Sequence, residues 1–173
     1  MKMTTKELCI QGLLIALVTV CTMVFQIPVS ATNGYVHLGD SMILLVGVFF
    51  GARYGMVAGG VGSALADLLS GYAHWVPFTL IIKGLMGWLI GKIANGAGDR
   101  EKFFTGRNLL ASVVGIAWMV FGYFIGGGIL QSSFVVALTS IPENIVQGAA
   151  GLVIFLVVGA AFHKANIYKI VSE

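Results

Sequence analysis

The sequence predicts an all-α integral membrane protein: one six-helix domain over residues 1–173, with both termini in the cytoplasm. Three observations lead to this. Hydrophobic residues make up 58% of the chain and mean hydropathy is +0.95. Charged residues are only 10%, against about 25% in an ordinary soluble domain. So few charges could not cover a soluble surface. Finally, nine of the ten Lys and Arg (Lys2, Lys6, Arg53, Lys92, Arg100, Lys102, Arg107, Lys164, Lys169) fall in one alternate set of gaps between apolar runs. That is the positive-inside asymmetry of a multispanning protein. The tenth, Lys83, lies inside an apolar run, where a charge is costly and usually functional.

The runs follow in order. Run one is Leu8 to Ile27. A polar-leaning loop, Pro28 to Gly39, leads to run two, Asp40 to Phe50. Gly51 to Tyr54 is a tight basic turn before run three, which ends at Leu69. Ser70 to His74 is a short loop before run four, Trp75 to Ala94. The most charged loop, Asn95 to Arg107, precedes run five, Asn108 to Leu130. An uncharged loop, Gln131 to Ser140, leads into run six, Ile141 to Phe162, and a basic tail. A span needs about 20 apolar residues, so six of them use up the chain and leave no room for a soluble domain. Run two is short for a core of ~30 Å; tilt, or sharing the crossing with loop one, would resolve this. The basic gaps put loops one, three and five outside.

The net charge of +3 then reports orientation and gives no sign of nucleic acid. Cys9 and Cys21 both lie in run one and form no disulfide framework. With no His near them they give no metal signal. Lys2, Lys6 and the later Val29-Ser30-Ala31 also fit a signal peptide. However, the apolar stretch exceeds the usual ~7–15 residues, which favours a retained span.

Gly51, Gly55, Gly59 and Ser63 recur every fourth residue in run three and end at Asp67. Small residues let helix backbones approach closely in lipid. Packing within the subunit is the expectation; a sliding surface against a partner is the alternative. Gly12 and Ala16, one turn apart among bulky residues of run one, suit a partner surface better.

The acidic residues at membrane depth are Asp40, Asp67 and Glu143. Asp40 opens run two, where a helix N-cap role suffices. Asp67, near His74 and Trp75 across a short loop, either caps that loop or lines a site. Glu143 follows Pro142 in the first turn of run six. Gln147 lies one turn deeper on the same face, with Asn144 beside it. Three such side chains entering a membrane helix together are costly unless they face a cavity or a partner. The alternative is a capped helix start with a water-exposed Glu143. Lys83 sits about 12 Å below the outer end of run four and needs an acidic partner, with Asp67 and Glu143 available. It is either half of an ion pair or a substrate contact. Tyr35, Tyr72, Trp75, Phe78, Trp118 and Tyr123 crowd the outer half as an interfacial belt does. One or two of them, Trp75 or Trp118 first, could wall a site for a flat ring.

Gly87 to Lys92 is no P-loop, because its spacing is one residue short and no Ser or Thr follows the Lys. No nucleophile motif surrounds Ser63. Neither ATP chemistry nor hydrolysis is expected of this chain, and no enzyme activity.

Gly39-Asp40-Ser41, Gly51-Ala52-Arg53-Tyr54-Gly55 and Ala66-Asp67-Leu68-Leu69-Ser70-Gly71-Tyr72 resemble the S components of energy-coupling-factor vitamin transporters. The resemblance covers nearly the whole chain and is nearest the hydroxymethylpyrimidine and pyridoxine branch. It implies a vitamin-capture subunit in a bacterial cell membrane that works with a membrane coupling subunit and two ATPases, which use the ATP. It also implies that loop one, with Tyr35 and His37, acts as a lid over the pocket. Gly12 and Ala16 match the family's docking positions on span one. The expected ligand is hydroxymethylpyrimidine first and pyridoxine second, because a carboxylate and an amide complement the donor and acceptor edge of an aminopyrimidine. Only one basic residue, Lys83, is near the pocket, which argues against phosphorylated ligands. The rival is a small homo-oligomeric channel or permease, which would need a polar path through the inner half.

Overall fold

A computed structural model describes residues 4–30, 33–95 and 102–167. Lys2, Arg100 and Lys169, used above for orientation, lie outside the described residues, as does Ala31. In chain order the elements are α1 (Thr5–Val24), β1 (Gln26–Val29), β2 (Gly34–His37), α2 (Asp40–Phe50), α3 (Ala52–Leu69), α4 (Val76–Asn95), α5 (Gly106–Leu130), α6 (Phe134–Ala137) and α7 (Ser140–Lys164). The protein is mostly helical, and the expectation of helix alone needs one correction. The end of run one and loop one form an antiparallel hairpin that pairs Gln26 with His37 and Val29 with Gly34, so the first helix stops at Val24, short of Ile27. An extended segment that cannot bond to a helix satisfies its backbone groups by pairing with itself.

The helix starts follow local chemistry. The Thr4 hydroxyl accepts from the Glu7 amide (3.2 Å), and the Glu7 carboxylate accepts from the Thr4 amide (2.7 Å), a reciprocal cap. Thr105 caps α5 by accepting from the Asn108 amide (3.1 Å). Gly51, at φ +90°, ends α2 and reverses the chain into α3. A side chain is rarely tolerated in that conformation.

α2 is the axis of the bundle. Every residue from Asp40 to Phe49 is buried. Its 11 residues rise only about 16 Å, roughly half a bilayer core. Neighbouring helices, not lipid, surround α2, so its shortness leaves no backbone in hydrocarbon. α1, α4 (as Val76–Ala94), α5 and the α6–α7 stretch are long and apolar enough to cross a membrane.

The glycine stripe of α3 faces α4, as expected for packing within the subunit. A Cβ on Gly55 would lie 2.5 Å from the Gly87 carbonyl oxygen, and one on Gly59 would lie 2.7 Å from that of Lys83. The two backbones touch, which fixes the depth at which Lys83 enters the core. Ile43, Leu44, Met86, Ile90 and Met119 fill the bundle around and below it, each at most 1% exposed. Farther from the hairpin, Phe49, Phe103 and Phe155 close the core, with ring centroids 5.2–5.6 Å apart.

Candidate functional site

The hairpin covers a cavity of about 50 Å³ bounded by α3, α4, α5, α6 and α7. On that measure one water needs about 10–15 Å³, so the space suits a few waters or one small ring.

Its floor is a closed polar network. Asp40 and Lys83, both fully buried, form an ion pair through Asp40 Oδ1. Asp40 Oδ2 accepts from Gln147 Nε2 (2.7 Å), and Gln147 Oε1 accepts from the His37 backbone amide (2.9 Å). The Lys83 ammonium also donates to Met119 Sδ (2.9 Å) and lies 5.2 Å from the centre of the Tyr123 ring. Two expectations are corrected here. Asp40 does not cap α2: Gly39 holds the cap position, and the Asp40 carboxylate turns inward. The partner of Lys83 is Asp40, not Asp67 or Glu143. Ionised groups this deep persist only when paired and hydrogen-bonded, and the Gln147 amide supplies the second bond.

Three side-chain hydrogen bonds hold the hairpin to the helices and the loop after α3. The Tyr35 phenol donates to Asp67 Oδ1 (2.6 Å). Burial and the Asp67 charge push its pKa above the usual tyrosine value, so it stays a donor. Trp75 Nε1 donates to the Asn33 carbonyl (3.1 Å), and His74 Nε2 meets the same oxygen (3.1 Å). His37 accepts from the Gly39 amide at Nδ1 (3.1 Å), so the neutral ring carries its proton on Nε2.

Burial lowers the His37 pKa to about 4, with Asp40 opposing the shift and Lys83 adding to it. Between pH 6.5 and about 4 the unfolded chain holds a proton on this ring that the folded protein does not. Stability is therefore full above pH 6.5 and falls with acid by up to about 1.4 kcal/mol per pH unit. His37→Gln should show a shallower slope. Denaturant unfolding of both proteins in detergent across that window checks it, and equal slopes would contradict it.

Of the candidate residues, Tyr35, His37, Asp67 and Trp75 line the cavity, as do Tyr123, Glu143, Asn144 and Gln147. Trp75 and Tyr123 pack edge to face with centroids 5.5 Å apart, forming the aromatic wall. Glu143 is half-buried and makes no hydrogen bond among the described residues. Asn144 donates to the Ser140 carbonyl (2.8 Å), which leaves its Oδ1 for other use. Gln147 lines the space, but both ends of its amide are committed to Asp40 and His37.

Three candidates lie elsewhere. Lys83 sits beneath the lining, with its charge taken by Asp40. His74 is on the outer side of the hairpin, in a separate groove with Tyr72 and Asn33. Trp118 donates to the Ile82 carbonyl (2.9 Å) outside the lining. Thr79, Gln131 and Ser140 line the cavity and escaped the sequence reading. The spacing from Ser140 to Glu143 and Gln147, which keeps one helix face, was a usable signal for Ser140. Gly12 and Ala16 are exposed on α1, and a Cβ on Gly12 would meet nothing within 4 Å.

The sequence is similar to proteins of a known transporter family. The family profile described as "ECF-type riboflavin transporter, S component" matches residues 2–164. An "uncharacterized protein in gap 3' region" of Pyrococcus woesei is 43% identical over 137 residues, 79% of this chain and 88% of that protein. The thiamine precursor transporter HmpT of Lactococcus lactis is 31% identical over 163 residues, 94% of this chain and 90% of that one. A UPF0397 protein of Streptococcus pneumoniae is 31% identical over 104 residues, 57% of this chain and 56% of that one. The matched class is one of transport, not catalysis, and the apolar helices make this a multi-pass protein of the cell membrane. Profile and relatives together place the chain in the S-component family of ECF-type transporters.

Proposed function

We propose that this chain captures a single-ring heteroaromatic vitamin or precursor from outside the cell, hydroxymethylpyrimidine first and pyridoxine second. It does so as one membrane domain of six spans over residues 1–173, with both termini cytoplasmic. The observation that carries this is the cavity itself: a one-ring space between an aromatic wall and uncommitted acceptors at Glu143 and Asn144. Its size favours a single ring over the three fused rings of the flavin named in the family profile. The likeness to a thiamine precursor transporter supports the same choice. Among the described residues, the only lysine near the space is neutralised by Asp40, so phosphorylated ligands are disfavoured.

Delivery follows by docking of Gly12 and Ala16 on a membrane coupling subunit driven by two ATPases. The support is an exposed pair of small residues flanked by Leu13, 71% exposed, and Val20, 55% exposed. Small residues let a partner helix approach closely in lipid.

Titration of the purified protein with hydroxymethylpyrimidine and with pyridoxine tests capture, and binding of neither overturns it. Uptake into proteoliposomes should require the ATPase module; sustained concentrative uptake by this chain alone would sink the transport reading. Gly12→Leu and Ala16→Leu should each keep ligand affinity within about two-fold and cut transport by an order of magnitude or more, since a leucine holds the partner backbone away. Normal transport in both would place docking elsewhere.

A further inference from the structure

We propose that Asp67 decides ligand specificity: its Oδ2 accepts a hydrogen bond from an N–H or O–H donor on the ligand ring. This deepens the function proposed above and rests on it.

Asp67 closes α3, lines the cavity and is only 5% exposed. Its two oxygens are in different states. Oδ1 accepts from the Tyr35 phenol at 2.6 Å, a short hydrogen bond. Oδ2 is buried and has no hydrogen-bond partner. A buried acceptor left unsatisfied is costly, and native structures keep few of them. Of the other neighbouring donors, only the Thr79 hydroxyl lies close enough to reach Asp67, and no hydrogen bond to Oδ2 is formed. The Lys83 ammonium is held by Asp40, and the Thr79 and Tyr123 hydroxyls bond each other (3.1 Å). Tyr35 fixes the carboxylate through Oδ1, which leaves Oδ2 for whatever occupies the cavity. Glu143 differs, because it is half-buried and water can reach it; Asp67 Oδ2 has no such recourse. A ligand with a ring donor relieves this penalty. A ligand of the same shape without the donor leaves it in place, and polar sites discriminate most strongly in that case.

The exocyclic amine of hydroxymethylpyrimidine is such a donor. The test compares this ligand with its analogue in which hydrogen replaces the amine, by calorimetric titration of the full chain in detergent. The parent should prefer the amine by about ten-fold or more. Asp67→Asn presents an amide N–H₂ or a weaker neutral acceptor at the same place, so the ratio should collapse towards one. Tyr35→Phe keeps the carboxylate, and both ligands should weaken by a similar few-fold with the ratio preserved. A purely structural Asp67 would weaken both ligands equally or neither, and either result overturns the inference. If the parent takes pyridoxine instead, the same comparison uses pyridoxine against its analogue lacking the ring hydroxyl. If it binds neither ring, the proposed function itself fails and this inference falls with it. Binding by the parent with an unchanged ratio in Asp67→Asn removes the inference alone.

Discussion

Lys83→Met should destabilise the protein by about 3–5 kcal/mol, and adding Asp40→Asn should recover most of the loss. Both side chains are fully buried, so neither charge can turn to water when its partner is removed. The single substitution leaves Asp40 ionised in an apolar core, or forces it to take a proton. The second substitution removes that charge and keeps an oxygen to accept from Gln147 Nε2. Denaturant titration of the three proteins in detergent measures the cycle. The same proteins separate the two roles open for Lys83. If it only supports the floor, the double variant binds ligand within a few-fold of the parent. Loss of binding in a well-folded double variant would make Lys83 a ligand contact. Stability of the single variant equal to the parent's would contradict the burial of the pair.

That pair also marks the limit of what the sequence discloses. The helices were legible because their punctuation is local. α2 runs from Asp40 to Phe50 and α3 ends at Leu69, as apolar continuity and Gly51 predict. The spacing of Glu143, Asn144 and Gln147 put them on one cavity-lining stretch of α7. What stayed hidden depends on distance in the chain. An aspartate opening a helix satisfies the local rules for a cap, and nothing nearby reveals a lysine 43 residues away. The amide of Gln147 looked free for a ligand, yet its partners come from β2 and α2. The hairpin escaped because its strands are four residues each and β1 contains Pro28. Strands that short are specified by pairing more than by pattern. Trp118 is the reverse case. Its type suggested a ring wall, but orientation on α5 sends its N–H to the Ile82 carbonyl instead.

Glu143→Gln should weaken ligand binding by roughly ten- to a hundred-fold and leave folding intact. The substitution keeps the shape and removes the charge. If the carboxylate accepts a charge-assisted bond from the ligand, the loss is about 1.5–3 kcal/mol, which is that range in affinity. Folding should not suffer, because among the described residues Glu143 holds no protein hydrogen bond that the amide would lose. Its place in the first turn of α7 adds only a small helix-dipole contribution, about 0.3–1 kcal/mol. The contrast with the floor is what makes the result informative. Asp40 is spent on holding the bundle together, whereas Glu143 has no structural duty, so any large effect of Glu143→Gln must arise with the ligand present. Calorimetric titration with hydroxymethylpyrimidine and pyridoxine, beside an unfolding curve of the ligand-free variant, measures both halves. Unchanged affinity for whichever ring the parent binds would move recognition off α7, leaving the Asp67 carboxylate as the acidic contact in the cavity.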